Sequence, residues 1–331
     1  MKNILFYKYI EIENPEELKN EQMEIGKSLN LLGTILIAGE GINGCVSGED
    51  SNIEKYKKTL AEDSRFSNIK FKEGIANRHT FKKFHVRIKN EIVSSKFNVD
   101  IKNKALYIEA KELKNLLDEN EDIILLDARN NYEYEIGRFK NAVHLNLDTF
   151  REFPEKIKEL QGNNKKSYKT DKNNDKIKNL NNLKNNKNKL NKISNKMDYE
   201  FLKNKKIIAY CTGGVRCEKA SALLKENGFD NVYQLHGGIL TYGKECGNAH
   251  WEGKCFVFDT RGAIDIDPNR QSEPITQCVL CHLPNSDLHN CSLTTCDRFF
   301  TACRDCLKIL NGCCSKRCRG ELLKKPIEML N

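Results

Sequence analysis

A short apolar strand that ends in a cysteine and a glycine-bearing loop is the feature that most constrains this chain. Residues 207–210 form the strand, Cys211 follows it, and a helix is expected from 218 to 227. The loop that would form an anion nest around the sulfur consists of Thr212, Gly213, Gly214 and Val215. Glycine lets several backbone N–H groups turn toward the sulfur, and the positive end of the helix adds to their field. Both effects favour a thiolate, so Cys211 is the predicted nucleophile; a small buried cysteine beside an ordinary turn is the alternative.

Two further side chains complete the predicted catalytic group. Arg216 would bind an anion or steady the thiolate, and the alternative is a surface arginine without a role. Cys217 would resolve an oxidised or persulfidated Cys211 as a disulfide, and packing in the first helical turn is the alternative.

Strands that alternate with helices surround this loop. Residues 123–126 and 232–235 are short and apolar, as buried parallel strands are. The alternation predicts a parallel sheet with the cysteine loop at its carboxyl edge, where open α/β sheets place their ligands. Asp127 and Arg129 are interpreted as an internal ion pair, and His236 as a structural histidine in preference to a base.

The N-terminal part of the chain predicts a strand, helix, strand, turn, strand, helix and strand in that order. The expected strands are 4–9, 34–38 and 69–72. The expected helices run from Pro15 to about 32, and through 60 after a cap at Asp50 and Ser51. This order is typical of a ferredoxin-like α/β sandwich.

Basic and aromatic side chains interleave over residues 78–87. Such a surface would stack bases and pair with phosphates, so RNA contact is a candidate role for this segment. The basic residues concerned are Arg78, Lys82, Lys83 and Arg87. The alternative is an amphipathic strand whose aromatic side chains face the core and whose lysines face water.

Most of the 14 cysteines lie in the C-terminal region, in a pattern typical of metal sites. Two C-x-x-C pairs predict a structural zinc site. Its expected ligands are Cys278, Cys281, Cys303 and Cys306. The candidates for a second site are Cys291, Cys296, Cys313, Cys314 and Cys318. Reduced or disulfide-linked cysteines without metal are the alternative, and Cys45, Cys246 and Cys255 have no partner pattern.

The net charge of +9 comes entirely from one segment. Residues 163–196 hold eleven lysines against Asp171 and Asp175, so the remainder of the chain is neutral. This asparagine- and lysine-rich stretch has too few large apolar residues to offset chain entropy. It predicts a disordered surface insertion, and a basic arm that touches RNA phosphates is the alternative.

Hydropathy and cysteine usage bear on where the protein works. No stretch approaches the roughly 18–20 consecutive apolar residues of a membrane span, and no signal peptide is recognisable. Cysteines in C-x-x-C pairs and beside a catalytic-type loop indicate a reducing compartment. We therefore expect a soluble, cytoplasmic protein without a membrane partner.

Three motifs in the central region resemble the rhodanese homology domain. The first is Asp127, Arg129, Glu133, Tyr134 and Gly137 at fixed offsets; the cysteine loop and the closing 235–239 motif follow in order. In rhodaneses the first loop cysteine carries a persulfide, and the resemblance implies that role for Cys211.

Motifs outside that region narrow the resemblance to one family. Residues 38–44, 149–153, the extended loop 211–220, and 256–259 before a cysteine-rich tail are similar to rhodanese-related tRNA uridine hydroxylases. The resemblance covers nearly the whole chain. It implies oxygen-dependent 5-hydroxylation of the wobble uridine, position 34, in tRNA. Molecular oxygen would be the co-substrate, tRNA the partner, and the reductant is unknown. Proteins of this family lack a recognised flavin or haem motif, and this chain shows none.

The resemblance and the residues together predict three regions. They are a ferredoxin-like N-terminal domain at 1–99, a rhodanese-like α/β domain at 100–250 that contains the insertion, and a cysteine-rich region at 251–331. A sulfurtransferase that carries a Cys211 persulfide is the alternative function, and a non-catalytic, metal-bound scaffold is a third.

Overall fold

The computed structural model describes residues 1–163 and 199–324. The disorder expected for the 163–196 insertion falls, except for Asn163, outside the described residues. Asn163 is the last residue of a helix.

The N-terminal region is a five-stranded sheet with two helices on one face. Its elements are β1 (Lys2–Tyr9), α1 (Pro15–Ser28), β2 (Leu32–Ala38), β3 (Gly41–Gly48), α2 (Asp50–Glu62), β4 (Phe71–Ile75) and β5 (Phe84–Ile88). The strand order is β4-β1-β3-β2-β5, and all neighbours are antiparallel except β2 and β5. The first four strands and the two helices confirm the predicted ferredoxin-like arrangement.

Element boundaries in this region differ from the expectation in three places. Helix α1 ends at Ser28 and not near residue 32, because Asn30 has a positive φ of 50° and β2 begins at Leu32. Helix α2 begins at Asp50 after Glu49, and no side-chain hydrogen bond caps it, so the cap predicted at Asp50 and Ser51 is wrong. Strand β4 begins at Phe71 because the N–H of Ile69 donates to the carbonyl oxygen of Phe66 in a turn.

The central region is a five-stranded parallel sheet in the order β6-β11-β10-β7-β9. Its first elements are β6 (Leu106–Ile108), α3 (Ala110–Asp118), β7 (Ile123–Asp127), α4 (Asn131–Ile136), β8 (Gly137–Phe139), β9 (Val143–His144) and α5 (Phe153–Asn163). After the gap come α6 (Tyr199–Lys203), β10 (Lys206–Tyr210), α7 (Val215–Glu226), β11 (Val232–Leu235) and α8 (Gly238–Cys246). The predicted parallel sheet is confirmed, and Cys211 follows its middle strand.

The C-terminal region begins as an extension of the central one. Its elements are β12 (Trp251–Gly253), β13 (Cys255–Phe256), β14 (Ala263–Ile264), β15 (Leu288–Asn290), β16 (Phe299–Thr301), α9 (Arg304–Ile309) and α10 (Lys316–Lys324). Strand β12 pairs with β8 of the central region. From Cys278 onward, five buried cysteines pack with Leu293, Phe300 and Ala302, so sulfur supplies much of the small core.

None of the helices within the described ranges is both long and apolar enough to span a membrane.

The face of the N-terminal sheet opposite its two helices packs on the cysteine loop. The aliphatic core of this sheet, which includes Ile4 and Phe6, lies on the helix side. Because side chains alternate along a strand, Leu5 and Tyr7 of β1 lie on the other face. The Tyr9 hydroxyl, on that same face, donates to the carbonyl oxygen of Val215 at 3.2 Å. The two sheets therefore enclose the candidate site.

Candidate active site and cysteine clusters

The sulfur of Cys211 lies in the nest of N–H groups that the sequence predicts. The N–H of Gly214 donates to Cys211 Sγ at 3.1 Å, and Gly214 has a φ of 101°, which glycine tolerates. Helix α7 begins at Val215, three residues earlier than expected, and the backbone N–H groups of Arg216 and Cys217 in its first turn also lower the pKa of the sulfur.

These donors decide the charge of a buried sulfur. Burial by itself raises the pKa of the Cys211 thiol, whose side chain is 1% exposed. The Cys217 thiol, the charge of Arg216 and the backbone N–H groups act in the opposite direction and lower the pKa from 9.0 to about 6. Cys211 is consequently a thiolate near neutral pH.

Cys217 is the protonated partner of that thiolate. It is fully buried and packs with Ala209 and Cys211. Burial, the hydrogen bond to Cys211 and the charge of Cys211 hold the pKa of Cys217 well above its usual range. As a thiol it donates to the thiolate; its role as a resolving cysteine stays a prediction.

Arg216 is buried, and its guanidinium group is occupied by Glu133. Arg216 Nη1 and Nη2 lie 2.6 and 2.8 Å from the two carboxylate oxygens of Glu133, a bidentate pair. The Thr212 hydroxyl donates to the same carboxylate at 3.3 Å. The contribution of Arg216 to Cys211 is therefore electrostatic, since both of its Nη atoms already donate to Glu133.

The other polar residues of the central motifs have internal partners. Arg129 and Asp127 form a fully buried pair, with Nη2 and Oδ2 2.6 Å apart. His236 Nδ1 lies 2.8 Å from a carboxylate oxygen of Glu109. Both contacts agree with the structural interpretation of these residues.

Strand β1 packs directly on the two loop glycines. A Cβ atom on Gly213 would lie 2.4 Å from Leu5 Cδ2, and one on Gly214 would lie 2.8 Å from the Tyr7 hydroxyl oxygen. Close approach of the N-terminal sheet therefore requires glycine at both positions.

Sequence reasoning did not find Glu218, which joins the two sheets behind the loop. Its carboxylate accepts hydrogen bonds from the hydroxyls of Tyr7 at 2.9 Å and Tyr107 at 2.7 Å, and lies 2.9 Å from Lys104 Nζ. The side chain of Glu218 is 1% exposed. An acidic residue in the first turn after a catalytic-type loop was the available signal.

Lys219 connects the turn between β2 and β3 to the helix that follows the cysteine loop. Lys219 Nζ lies 2.9 Å from a carboxylate oxygen of Glu40, in the turn between β2 and β3, and 3.0 Å from Glu91. The N–H of Ile92 donates to the other oxygen of Glu40 at 2.8 Å, and Asn43 Nδ2 donates to the Ile92 carbonyl oxygen at 2.8 Å. One ion-pair network thus connects both motifs.

The interleaved segment 78–87 divides into an irregular stretch and strand β5. Phe84 packs into the N-terminal core, because a Cβ on Gly26 would meet its ring at 2.0 Å, and Val86 is buried. Strand β5 is thus amphipathic, as the alternative reading had it. The four basic side chains are exposed, and RNA contact by Arg78, Lys82, Lys83 and Arg87 stays a prediction.

The four cysteines of the two C-x-x-C pairs come together. The Sγ atoms of Cys278, Cys281, Cys303 and Cys306 all lie within 4.8 Å of one another. Cys303 Sγ is 3.9 Å from the sulfurs of both Cys278 and Cys281. This arrangement is a candidate metal centre.

A second group of four has the same form. The sulfurs of Cys291, Cys296, Cys314 and Cys318 also lie within 4.8 Å of one another. Of the five candidates, Cys313 is left out, and its thiol donates to the carbonyl oxygen of Asn311 at 3.8 Å. Sequence spacing alone did not distinguish Cys313 from its neighbour Cys314.

Comparison with family profiles divides the chain into three matches. Residues 1–92 match the family described as UPF0176 acylphosphatase like domain. Residues 109–245 match the rhodanese-like domain, and residues 252–319 match the rhodanase C-terminal family.

Similar proteins extend over almost the whole chain. The tRNA uridine(34) hydroxylase of Cytophaga hutchinsonii is 38% identical over 98% of this chain and 92% of its own length. The proteins of the same name from Chlamydia felis and Bacillus licheniformis are 35% and 37% identical, over 95% and 85% of this chain and 86% and 80% of their own. The chain therefore belongs to the tRNA uridine(34) hydroxylase family.

Proposed function

We propose that this protein hydroxylates carbon 5 of uridine 34 in tRNA, with molecular oxygen as co-substrate and Cys211 as the nucleophile. The observation that carries the proposal is a buried Cys211 thiolate with a pKa of about 6. It lies in a chain that aligns with members of the family over almost its whole length. Such a sulfur is the activated nucleophile that covalent catalysis requires.

A thiolate suits chemistry at carbon 5 of a uracil ring. Carbon 6 is the electrophilic end of the conjugated double bond, so sulfur adds there and electron density moves to carbon 5 and the carbonyl oxygen. Molecular oxygen then supplies one atom to carbon 5, and sulfur leaves carbon 6 as the proton on carbon 5 is lost. Two electrons and two protons reduce the second oxygen atom to water. An external reductant must supply those electrons.

The substrate reaches Cys211 only if the site opens. Leu5 and Tyr7 contact the two glycines of the loop, and Cys211 is 1% exposed. We infer that β1 and the loop separate to admit the nucleotide. The exposed basic residues Arg78, Lys82, Lys83 and Arg87 are the proposed phosphate contacts. A tRNA substrate assigns the protein to the cytoplasm.

We further propose that each four-cysteine cluster holds a structural zinc ion. A tetrahedral site with Zn–S bonds of about 2.3 Å has S–S edges of about 3.8 Å. The closest sulfur pairs measure 3.9 Å in the first cluster and 3.7 and 3.6 Å in the second, so the donor sets fit. Four thiolates close the coordination shell, so the ions would hold the fold together and not take part in the reaction.

Isotope labelling in cells tests the proposed reaction. A bacterial strain without its own hydroxylase would express this chain under ¹⁸O₂, and its tRNA nucleosides would be measured by mass spectrometry. We expect 5-hydroxyuridine at position 34 with one ¹⁸O atom, and none in cells that express Cys211→Ser. Thiouridine formation, or thiocyanate production from thiosulfate and cyanide without oxygen dependence, would indicate the sulfurtransferase instead.

A further inference from the structure

Lys72 is a lysine of the N-terminal sheet that lies beside the cysteine loop. Strand β4 is one of the two edge strands of this sheet, and Lys72 is paired with Leu5 across the antiparallel β1–β4 ladder. Directly opposite residues share a face of the sheet, so Lys72 lies on the face on which Leu5 contacts Gly213.

The ammonium group of Lys72 rests on the ring of Tyr7. Its Nζ atom is 4.4 Å from the ring centroid, a cation–π contact. The hydroxyl of the same Tyr7 approaches Gly214 and donates to Glu218. Lys72 is therefore connected to the cysteine loop through Tyr7, which contacts both Lys72 and Gly214.

Other cations around this site already have carboxylate partners. Arg216 is paired with Glu133, Lys104 with Glu218, and Lys219 with Glu40. Within residues 1–163 and 199–324, by contrast, Lys72 has no ion pair and no hydrogen bond from its side chain. A half-buried cation without a carboxylate partner is available to a negative charge in the site.

The electrostatics of Lys72 point to that charge. Burial lowers the pKa of Lys72 to about 8, and the negative charges of Cys211 and Glu218 act in the opposite direction. Glu218 already has Lys104 and two tyrosine hydroxyls, whereas the Cys211 thiolate has only the nest, Cys217 and the field of an arginine that is itself paired. The thiolate is the anion with most to gain from Lys72.

We propose that Lys72 is a positioning residue of the active site, which stabilises the Cys211 thiolate across the boundary between the two sheets. The N-terminal region thereby supplies a positive charge as well as burying the loop. The thiolate is most stabilised when the two sheets are packed against each other. This inference rests on Cys211 being the reactive sulfur of the proposed function, but its test does not require hydroxylation to occur.

The test is the pH dependence of alkylation at Cys211 in purified full-length protein. Iodoacetamide labelling from pH 5 to 9 would be followed by mass spectrometry of the tryptic peptide 207–216, in which Cys211 is the only cysteine. Removing a cation from this low-dielectric site should raise the midpoint by about 0.5–1 pH unit in Lys72→Met and Lys72→Gln. Lys72→Arg keeps the charge and should keep the wild-type midpoint.

Lys70→Met is the matched control, because Lys70 is exposed just before the same strand. A wild-type midpoint in both neutral Lys72 variants, with unchanged thermal melting, would overturn the proposal. So would a shift of equal size in Lys72→Arg, because that result would indicate packing and not charge. If the midpoint shifts as expected but tRNA from ¹⁸O₂-grown cells contains no 5-hydroxyuridine, the proposed reaction fails and the role of Lys72 stands.

Discussion

Cys211 and the cysteines of the tail share the same local backbone feature, but their proposed chemistry differs. In both places a backbone N–H group donates to sulfur: Gly214 to Cys211 at 3.1 Å, Cys303 to Cys278 at 3.5 Å, and Cys314 to Cys291 at 3.5 Å. What differs is the number of sulfurs nearby.

The neighbours of a sulfur decide whether it reacts or coordinates. Cys211 has one thiol beside it, Cys217, which keeps its proton and donates a hydrogen bond to a single activated thiolate. Each tail cluster brings four sulfurs within 4.8 Å of one another, an arrangement that like-charged thiolates cannot keep without a cation. A sheet and two packed domains hold the first site, whereas metal is the proposed support of the second.

The largest effect is expected from Cys211→Ser. Serine keeps the shape but is not ionised near neutral pH, so 5-hydroxyuridine formation should fall at least about 1000-fold. Nucleoside mass spectrometry of tRNA from a complemented strain measures it, and the melting temperature should stay within a few degrees. Cys217→Ser should be milder, since serine retains a donor. Full activity of Cys211→Ser would remove the distinction between the two kinds of sulfur.

Removal of metal should unfold the tail and spare the central sheet. Structural zinc contributes about 10–16 kcal/mol to the folding of small domains. Elemental analysis of protein purified without chelator should give about two zinc ions per chain by the count of clusters. After chelation we expect rapid proteolysis beyond residue 274, with the fluorescence of Trp251, the single tryptophan, unchanged because it is buried in the central core.

Cys278→Ser and Cys313→Ser form a matched pair for this experiment. Both cysteines are fully buried, but only Cys278 belongs to a cluster. The first variant should lose one zinc ion per chain, and the second should keep both. Less than about one metal ion in the wild type, with freely titratable thiols, would refute the metal assignment.

Glu133→Gln tests how the Cys211 loop is held. The substitution leaves the buried guanidinium of Arg216 without its carboxylate, which should cost about 3 kcal/mol in the free energy of unfolding. Urea denaturation followed by Trp251 fluorescence would measure the loss. Glu109→Gln, at the exposed pair with His236, is the control and should cost less than about 1 kcal/mol. Equal costs would mean that burial does not strengthen the loop.

The smallest effect is the pH profile of Cys211 in the wild-type protein. The thiolate is the reactive form and its pKa is lowered to about 6, so alkylation should fall about tenfold per unit below pH 6 and level off above about pH 7. Burial raises the pKa of Cys45 to about 12, so its labelling should still increase between pH 7 and 10. A Cys211 midpoint near pH 8.5 would contradict the stabilisation of the thiolate by the N–H nest.

The sequence by itself determined what is local along the chain. A strand, a cysteine, two glycines and a helix lie within a few residues of one another, so their backbone geometry largely specifies the nest around Cys211. The C-x-x-C pairs are equally local, because each brings two sulfurs to one side of a turn. The alternation of strands and helices likewise predicted the parallel sheet.

Tertiary structure decided the partners that are distant in the chain. Glu133 meets Arg216 across 83 positions, and Tyr7 meets Glu218 across 211, so no periodicity could pair them. The choice of Cys314 over Cys313 depends on how the tail folds on itself. The placement of Lys72 beside the loop depends on the packing of the N-terminal sheet against the central region. Local backbone preferences act over a few residues, whereas these contacts form only when elements that are distant in the chain pack against one another.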